Sequence, residues 1–127
     1  MTASSQPLLD CLIVDDEPGI AWVMEHLLLT GGYTAVSVPT GMAALAALRQ
    51  QRFRLAFLDA KLPDIDGLQL AQQLRELEPA MPIILVSGYY YPDDPAILRA
   101  LESDTISHFI AKPFTNGDIL AVLAGLA

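Results

Sequence analysis

The stretch Leu55-Ala56-Phe57-Leu58-Asp59-Ala60-Lys61-Leu62-Pro63-Asp64-Ile65-Asp66-Gly67 decides how this chain folds. It opens with consecutive apolar residues and no polar alternation. Successive strand side chains point to opposite faces of a sheet, so such a run suits a strand buried on both faces. Asp59 closes the run. Asp66 then stands where an N-cap belongs, before a helical pattern over Leu68–Leu77. Strand, acidic strand end, loop and capped helix form one unit.

Working outward, the same unit recurs. Cys11-Leu12-Ile13-Val14, Ala35-Val36-Ser37-Val38, Ile83-Ile84-Leu85-Val86 and His108-Phe109-Ile110-Ala111 read as four more strands. Helical patterns separate them. Ile20, Val23, Met24, Leu27 and Leu28 fall at i, i+3, i+4, i+7 and i+8, which is one helix face. Gly31-Gly32 ends that helix. Thr40 caps a helix over Met42–Gln50. Asp94 offers a capping carboxylate before the first-turn Pro95. Thr115 with Asp118 resembles a capping box, with Asp in place of Glu or Gln. The predicted order is β-α repeated five times. Right-handed crossovers make this a doubly wound α/β domain, with helices on both faces of a five-stranded parallel sheet.

In an open sheet of this kind the ligand crevice lies beyond the carboxyl ends of the strands. Asp15 and Asp16 follow the first strand, Asp59 ends the third, Ser87 the fourth and Lys112 the fifth. Three carboxylates in one crevice repel each other unless a cation neutralises them. An all-oxygen set favours a hard ion such as Mg²⁺. A carboxylate beside a metal, an ammonium and a hydroxyl suits nucleophilic attack on phosphorus. Each group alone has a plainer reading: the acid pair as a turn or cap, Ser87-Gly88 as a turn, Lys112 as a loop residue. Their joint placement at separate strand ends favours the chemical one.

Composition narrows the class. The 127 residues are 53% apolar and 17% charged, which suits one folded domain, with a polar tail over residues 1–7 and the domain over 8–127. The net charge is −8, and Arg49, Arg52 and Arg54 are the only close basic group, so direct binding of nucleic acid is not expected. Cys11 sits in an apolar run and reads as a buried, inert thiol. Met1–Pro7 lacks the pattern of a signal peptide, and the longest apolar run, Ile119–Ala127, is too short for a membrane span. A cytoplasmic location without membrane insertion is expected.

The segments Leu12-Ile13-Val14-Asp15-Asp16-Glu17, Leu58 to Gly67, Val86-Ser87-Gly88 and Ala111-Lys112-Pro113-Phe114 together resemble the receiver domains of bacterial two-component response regulators, which are CheY-like. The resemblance covers essentially the whole chain, in order. Around Ala21-Trp22-Val23-Met24-Glu25 it is similar to the receivers of nitrogen-regulatory transcriptional activators. The resemblance implies a flavodoxin-like fold with strand order 2-1-3-4-5. It implies Asp59 as phosphoacceptor and Mg²⁺ held by Asp15, Asp16, Asp59 and the backbone carbonyl of Lys61. It implies Ser87 and Lys112 as phosphoryl-binding groups, Phe109 as the switch aromatic, and a cis peptide before Pro113. The implied role is a phosphoprotein of signal transduction rather than an enzyme, one that assists its own phosphotransfer and dephosphorylation. The implied partners are a sensor histidine kinase or phosphotransfer protein, and an output domain or protein.

The chain also departs from the family pattern. Ser87 replaces the commoner Thr. The segment between Ser87 and Lys112 is enlarged and carries Tyr89-Tyr90-Tyr91-Pro92-Asp93-Asp94, whose tyrosines read as a cluster packing on itself. Glu102 to Ser107 replaces the usual Gly-Ala, so the fourth helix lacks a glycine cap and reads as short. Lys61 and Tyr89 take positions that flank the phosphoryl group in the family. In the fifth helix Ile119, Val122, Leu123 and Leu126 form the core stripe, yet Leu120, Ala121 and Ala124 off that stripe are apolar too. This points to a protein interface on the face of the fourth helix, fifth strand and fifth helix, with a second copy of the chain as one occupant. Two other functions compete. A Mg²⁺-dependent phosphohydrolase would also use an aspartyl nucleophile, but commonly has a second Asp where Lys61 stands. A degenerate receiver acting as a constitutive binding module would not need the intact set of Asp59, acid pair, Ser87 and Lys112.

Overall fold

The computed structural model describes residues 8–126. The tail assigned to residues 1–7 lies outside these, as does the side chain of Leu126 in the expected α5 stripe. The strands are β1 (Leu8–Val14), β2 (Ala35–Val38), β3 (Arg52–Asp59), β4 (Ile83–Ser87) and β5 (His108–Ala111). The helices that follow them are α1 (Pro18–Thr30), α2 (Gly41–Gln50), α3 (Gly67–Leu77), α4 (Pro95–Glu102) and α5 (Asn116–Leu126). All strand pairings are parallel, in the order β2-β1-β3-β4-β5.

Each central strand feeds two cores, which explains its unbroken apolar run. Leu12, Val14, Ala56, Leu58, Ile83 and Leu85 point to one face, against Ala44 and Leu48 of α2, Leu70 and Leu74 of α3 and Ile97 of α4. Cys11, Ile13, Leu55, Phe57, Ile84 and Val86 point to the other, against Met24 and Leu28 of α1 and Ile119 and Leu123 of α5. The strand order reverses between β1 and β3, so the crevice opens beyond Val14 and Asp59.

Local signals place most helix ends. The Ala43 N–H donates to Thr40 Oγ1 at 3.1 Å, and the Leu68 N–H to Asp66 Oδ1 at 2.8 Å. Thr115 and Asp118 form the reciprocal box, with the Asp118 N–H donating to Thr115 Oγ1 at 3.1 Å and the Thr115 N–H to Asp118 Oδ2 at 2.8 Å. Gly31 caps α1 and Gly32 follows in the left-handed region at φ 91°.

Two expectations need correction. Asp94 stands at the N-cap of α4, but its carboxylate does not cap the helix. It accepts the Tyr91 N–H at 2.7 Å and tightens the preceding turn instead. In α1 the buried line is Ala21, Met24 and Leu28, flanked by Ile20 and Leu27, while Val23 is 43% exposed. The apolar stripe is wider than the strip the sheet can cover.

The fourth helix is short, as its missing glycine foretold. It has eight residues and ends at Glu102, with Ser103 at the C-cap. Asp104 takes the left-handed conformation, φ 60°, that glycine adopts freely. The Thr105 N–H then reaches back to the Ala100 carbonyl at 2.9 Å.

Candidate phosphoacceptor site

Five polar groups reach the same rim because each ends or follows a strand of one sheet. Asp15 and Asp16 follow β1, Asp59 ends β3, Ser87 ends β4 and Lys112 follows β5. One carboxylate oxygen from each of Asp15, Asp16 and Asp59 lies within 4.8 Å of the others. Asp15 and Asp59 are 6% and 9% exposed, and Ser87 is 1% exposed. Asp16 is exposed. Lys112 Nζ donates to Asp15 Oδ2 at 3.2 Å and to Asp59 Oδ1 at 3.3 Å. Asp15 Oδ1 also accepts the Glu17 N–H at 2.9 Å. The peptide bond between Lys112 and Pro113 is cis.

Charge balance decides what this rim can hold. Three carboxylates face one ammonium, leaving an excess of two negative charges. Burial raises the Asp59 carboxyl above its ordinary range; Lys112 opposes that shift and Asp15 adds to it. Burial alone would lower the Lys112 ammonium, but Asp15 and Asp59 outweigh it and hold the group above its usual value. A small divalent cation matches the excess charge, and oxygen donors at this spacing are its preferred ligands.

The approach of α3 to the site depends on a missing side chain. A Cβ on Gly67 would stand 2.5 Å from the Asp59 carbonyl oxygen and 2.7 Å from Ala60 Cα. Gly67 therefore lets the first turn of α3 press on the end of β3, and its N–H donates to the Ala60 carbonyl at 2.8 Å. This fixes the backbone that carries Asp59.

Ser87 faces away from the three acids in its hydrogen bonding. Its Oγ accepts the Tyr89 N–H at 2.8 Å and the Tyr90 N–H at 3.1 Å, holding the β4–α4 loop. Phe109 is half-buried and packs on the core beneath α2, α3 and α4. Tyr89 and Tyr90 meet edge to face at 5.0 Å and 81°, so two of the three tyrosines do pack on each other. Tyr91 is 72% exposed.

Three contacts escaped the sequence reading. Asp64 accepts the Gly41 and Met42 N–H groups at 2.9 Å each and so caps α2 from a distant loop. Arg75 donates to the carbonyls of Glu78, Pro79, Met81 and Thr105, tying the end of α3 to the α4–β5 connection. Lys61 Nζ stands 3.8 Å above the centre of the Tyr89 ring. Only the strength of Asp as a capping residue could have hinted at the first, and nothing local signals the others.

The fold and this rim together define a phosphoacceptor signalling module, and the comparisons agree. The model of the response regulator receiver domain matches residues 11–124, and the chain belongs to that family. It is 31% identical over 124 residues to the probable transcriptional regulatory protein TcrX of Mycobacterium tuberculosis, covering 98% of this chain and 51% of that protein. It is 29% identical over 111 residues to the DNA-binding transcriptional regulator NtrC of Salmonella typhimurium, covering 87% of this chain and 23% of that protein. The chain thus spans about half or less of these relatives. Among solved structures, a CheY-like receiver domain from Methanospirillum hungatei superposes with TM-score 0.84 at 29% identity, covering 94% of this chain and 93% of that one. The response regulator TrrA of Thermotoga maritima, in complex with Mg²⁺-BeF, superposes with TM-score 0.81 at 26% identity, covering 94% and 99%.

Proposed function

We propose that Asp59 takes a phosphoryl group from the phosphohistidine of a sensor histidine kinase or phosphotransfer protein, in a Mg²⁺-dependent reaction, and that the new charge switches the domain. The observation that carries this is the Asp59 carboxylate at the end of β3, with Lys112 Nζ 3.3 Å away and the acid pair within 4.8 Å. An Asp59 oxygen attacks phosphorus, the P–N bond breaks, and its electron pair leaves on the imidazole nitrogen. Asp15, Asp16, Asp59 and the Lys61 carbonyl are the groups that would hold Mg²⁺. When bound, that ion would neutralise charge on the transferring phosphoryl oxygens. Lys112 already bridges Asp15 and Asp59 and adds a fixed positive charge beside the nucleophile. Ser87 supplies a hydroxyl that can turn from the Tyr89 and Tyr90 amides to a phosphoryl oxygen. Phe109 then follows into the space this opens.

The domain assists its own phosphotransfer and dephosphorylation and does not turn over a separate substrate. Lys61 occupies the place where a phosphohydrolase would commonly carry a second Asp, so the signalling role is the better reading. None of the described helices is long and apolar enough to cross a membrane. A cytoplasmic receiver that signals to an output domain or partner protein fits this set of features. So does contact through α4, β5 and α5, where Leu98 and Leu120 are 45% and 47% exposed.

Intact-mass measurement after incubation with acetyl phosphate tests the reading. A phosphoryl adduct should form with Mg²⁺ and not with chelator, and Asp59→Asn should abolish it. An adduct of equal yield in Asp59→Asn would overturn the assignment.

A further inference from the structure

The two ends of α4 are held in different ways. Behind its last turn the Thr105 and Ile106 N–H groups both donate to the Ala100 carbonyl, at 2.9 and 3.2 Å, and the Ser103 hydroxyl reaches the same oxygen at 3.4 Å. The Ser103 and Thr105 hydroxyls bond to each other at 2.9 Å. The Ser107 N–H donates to the Ile83 carbonyl at 2.7 Å, and its hydroxyl accepts the Ile83 N–H at 3.2 Å, which fastens the chain to the start of β4. Ile106 is fully buried among these bonds. Ahead of the first turn the fastening is lighter. Tyr91 and Asp94 bond to each other, and the polar link from this loop to the sheet runs through Ser87 Oγ, which accepts the Tyr89 and Tyr90 N–H groups. Ile97 and Ala100 pack on the core beneath the helix, a contact with no preferred direction.

Arg75 adds a clamp at the firmer end. From the last turn of α3 its Nη1 donates to the carbonyls of Glu78, Pro79 and Met81, and its Nη2 to the Thr105 carbonyl at 3.3 Å. One guanidinium thereby joins the α3–β4 connection to the α4–β5 connection. Its rigid fork of donors suits several carbonyls at once, where a lysine presents a point charge. Arg75 Nε is buried without a partner among the described residues, so the terminal nitrogens carry the whole hold. Next to the clamped carbonyl, Asp104 keeps the left-handed backbone at φ 60°. A non-glycine residue stays in that region only where its surroundings over-determine it. The bonds to Ala100 and the clamp on Thr105 supply that constraint.

We infer that Arg75 makes the C-terminal end of α4 the fixed pivot of the switch, so that phosphorylation swings the helix by its N-terminal end. The inference rests on the phosphoacceptor reading of Asp59. When the Ser87 hydroxyl turns to a phosphoryl oxygen, it leaves the Tyr89 and Tyr90 amides and unties the lighter end. The firmer end keeps its bonds, since none of them involves Ser87 or the rim. Eight residues at a rise of 1.5 Å make α4 about 12 Å long. A tilt about Ser103 therefore moves Pro95 and Ala96 most and Glu102 least. The cleft lined by Tyr90, Tyr91, Pro95 and Arg99 is the surface that changes, and a partner that senses the switch meets it there.

Amide signals in nuclear magnetic resonance of the full chain test this, with acetyl phosphate and Mg²⁺ as phosphodonor and metal and intact mass as the check on the adduct. In the wild type, phosphorylation should shift the amides of Tyr89, Tyr90 and Ala96. Those of Ser103, Thr105 and Ile106, and the Arg75 Nε–H signal, should stay at their resting positions. In Arg75→Met the adduct on Asp59 should form in the same yield, and the Thr105 and Ile106 amides should now shift with it. If Arg75 merely stabilises the fold, Arg75→Met will melt lower yet keep the wild-type pattern of shifts, which would overturn the inference. Thr105 and Ile106 amides that move as far as Ala96 in the wild type would overturn it too, with no variant needed. An adduct with uniform shifts along α4 removes the pivot alone. If no adduct forms on Asp59, the phosphoacceptor reading itself fails and the inference falls with it.

Discussion

Lys112 Nζ lies 3.3 Å from Asp59 Oδ1, although β5 and β3 are separated in the sheet by β4. The ammonium reaches across a whole strand and also holds Asp15 at 3.2 Å. One cation is thus shared by two buried carboxylates, with Asp16 close by. The site is under-neutralised, and its behaviour follows from that.

The first consequence is for stability. The Asp59 carboxyl is raised above its ordinary value of 3.8, mainly by burial. A raised folded value means that the fold favours the neutral form. That contribution is fully present below pH 3.8 and is lost as pH rises through the raised value. At pH 7 ionised Asp59 is therefore a net cost. Asp59→Asn should melt higher than wild type in metal-free buffer at pH 7, and the gap should narrow as Mg²⁺ is added. Calorimetry at several Mg²⁺ concentrations checks this, and an equal or lower midpoint for Asp59→Asn would contradict it.

Metal binding should separate the two acids of the β1 end. At ten times its Kd, Mg²⁺ should add about 1.4 kcal/mol to the stability of the wild type. Asp16 is exposed, so Asp16→Ala should remove that gain while changing metal-free stability by less than about 0.5 kcal/mol. Asp15 also holds the Glu17 N–H and Lys112, so Asp15→Ala should lower stability even without metal. Urea unfolding with and without Mg²⁺ distinguishes the two outcomes.

Asp64 gives a test that is independent of phosphorylation. Its two hydrogen bonds from the Gly41 and Met42 amides hold the carboxyl below its ordinary value. A depressed folded value stabilises above pH 3.8 and is lost as pH falls through the lower folded value. Asp64→Ala should therefore lower the melting midpoint at pH 7, and its difference from wild type should close as the pH drops below 3.8. A gap that persists undiminished at the lowest pH would assign the effect to packing instead of the charged cap.

Asp104 stores strain that glycine would release. A non-glycine residue at φ 60° costs about 1–2 kcal/mol, and glycine returns about 0.5–1 kcal/mol of that through the freedom of the unfolded chain. Asp104→Gly should therefore stabilise the domain by about 0.5–1 kcal/mol, less whatever attraction Asp104 exerts on the Arg75 guanidinium. The difference in urea midpoints measures it.

Leu120 tests the expected interface. It is 47% exposed on α5, while Ile119 and Leu123 beside it are buried. If this face joins two copies of the chain, sedimentation velocity should show a dimer after phosphorylation, and Leu120→Glu should weaken it tenfold or more. A monomer in both states for the wild type would remove the dimer from consideration.

Much of this was legible in the sequence, because it depends on neighbours along the chain. An unbroken apolar run has no water-facing side, so Leu55–Leu58 had to lie inside a parallel sheet. Strand ends in such a sheet share one edge, which sent Asp15, Asp16, Asp59, Ser87 and Lys112 to a common rim. Caps that act within three residues, at Thr40, Asp66 and Thr115, were also readable. Tertiary structure alone decided the rest, since the partners are far apart in sequence. Asp64 caps a helix more than twenty positions earlier, because the β3–α3 loop comes to lie beside the start of α2. Asp94 stands at the N-cap of α4, yet its carboxylate accepts the Tyr91 N–H of the preceding turn. Val23 matched the helical stripe but lies outside the strip that the sheet covers. Lys61 found a tyrosine in place of a carboxylate once two loops from adjacent strands met above the rim. Periodicity reports which face a side chain takes, and only the packed sheet sets what that face meets.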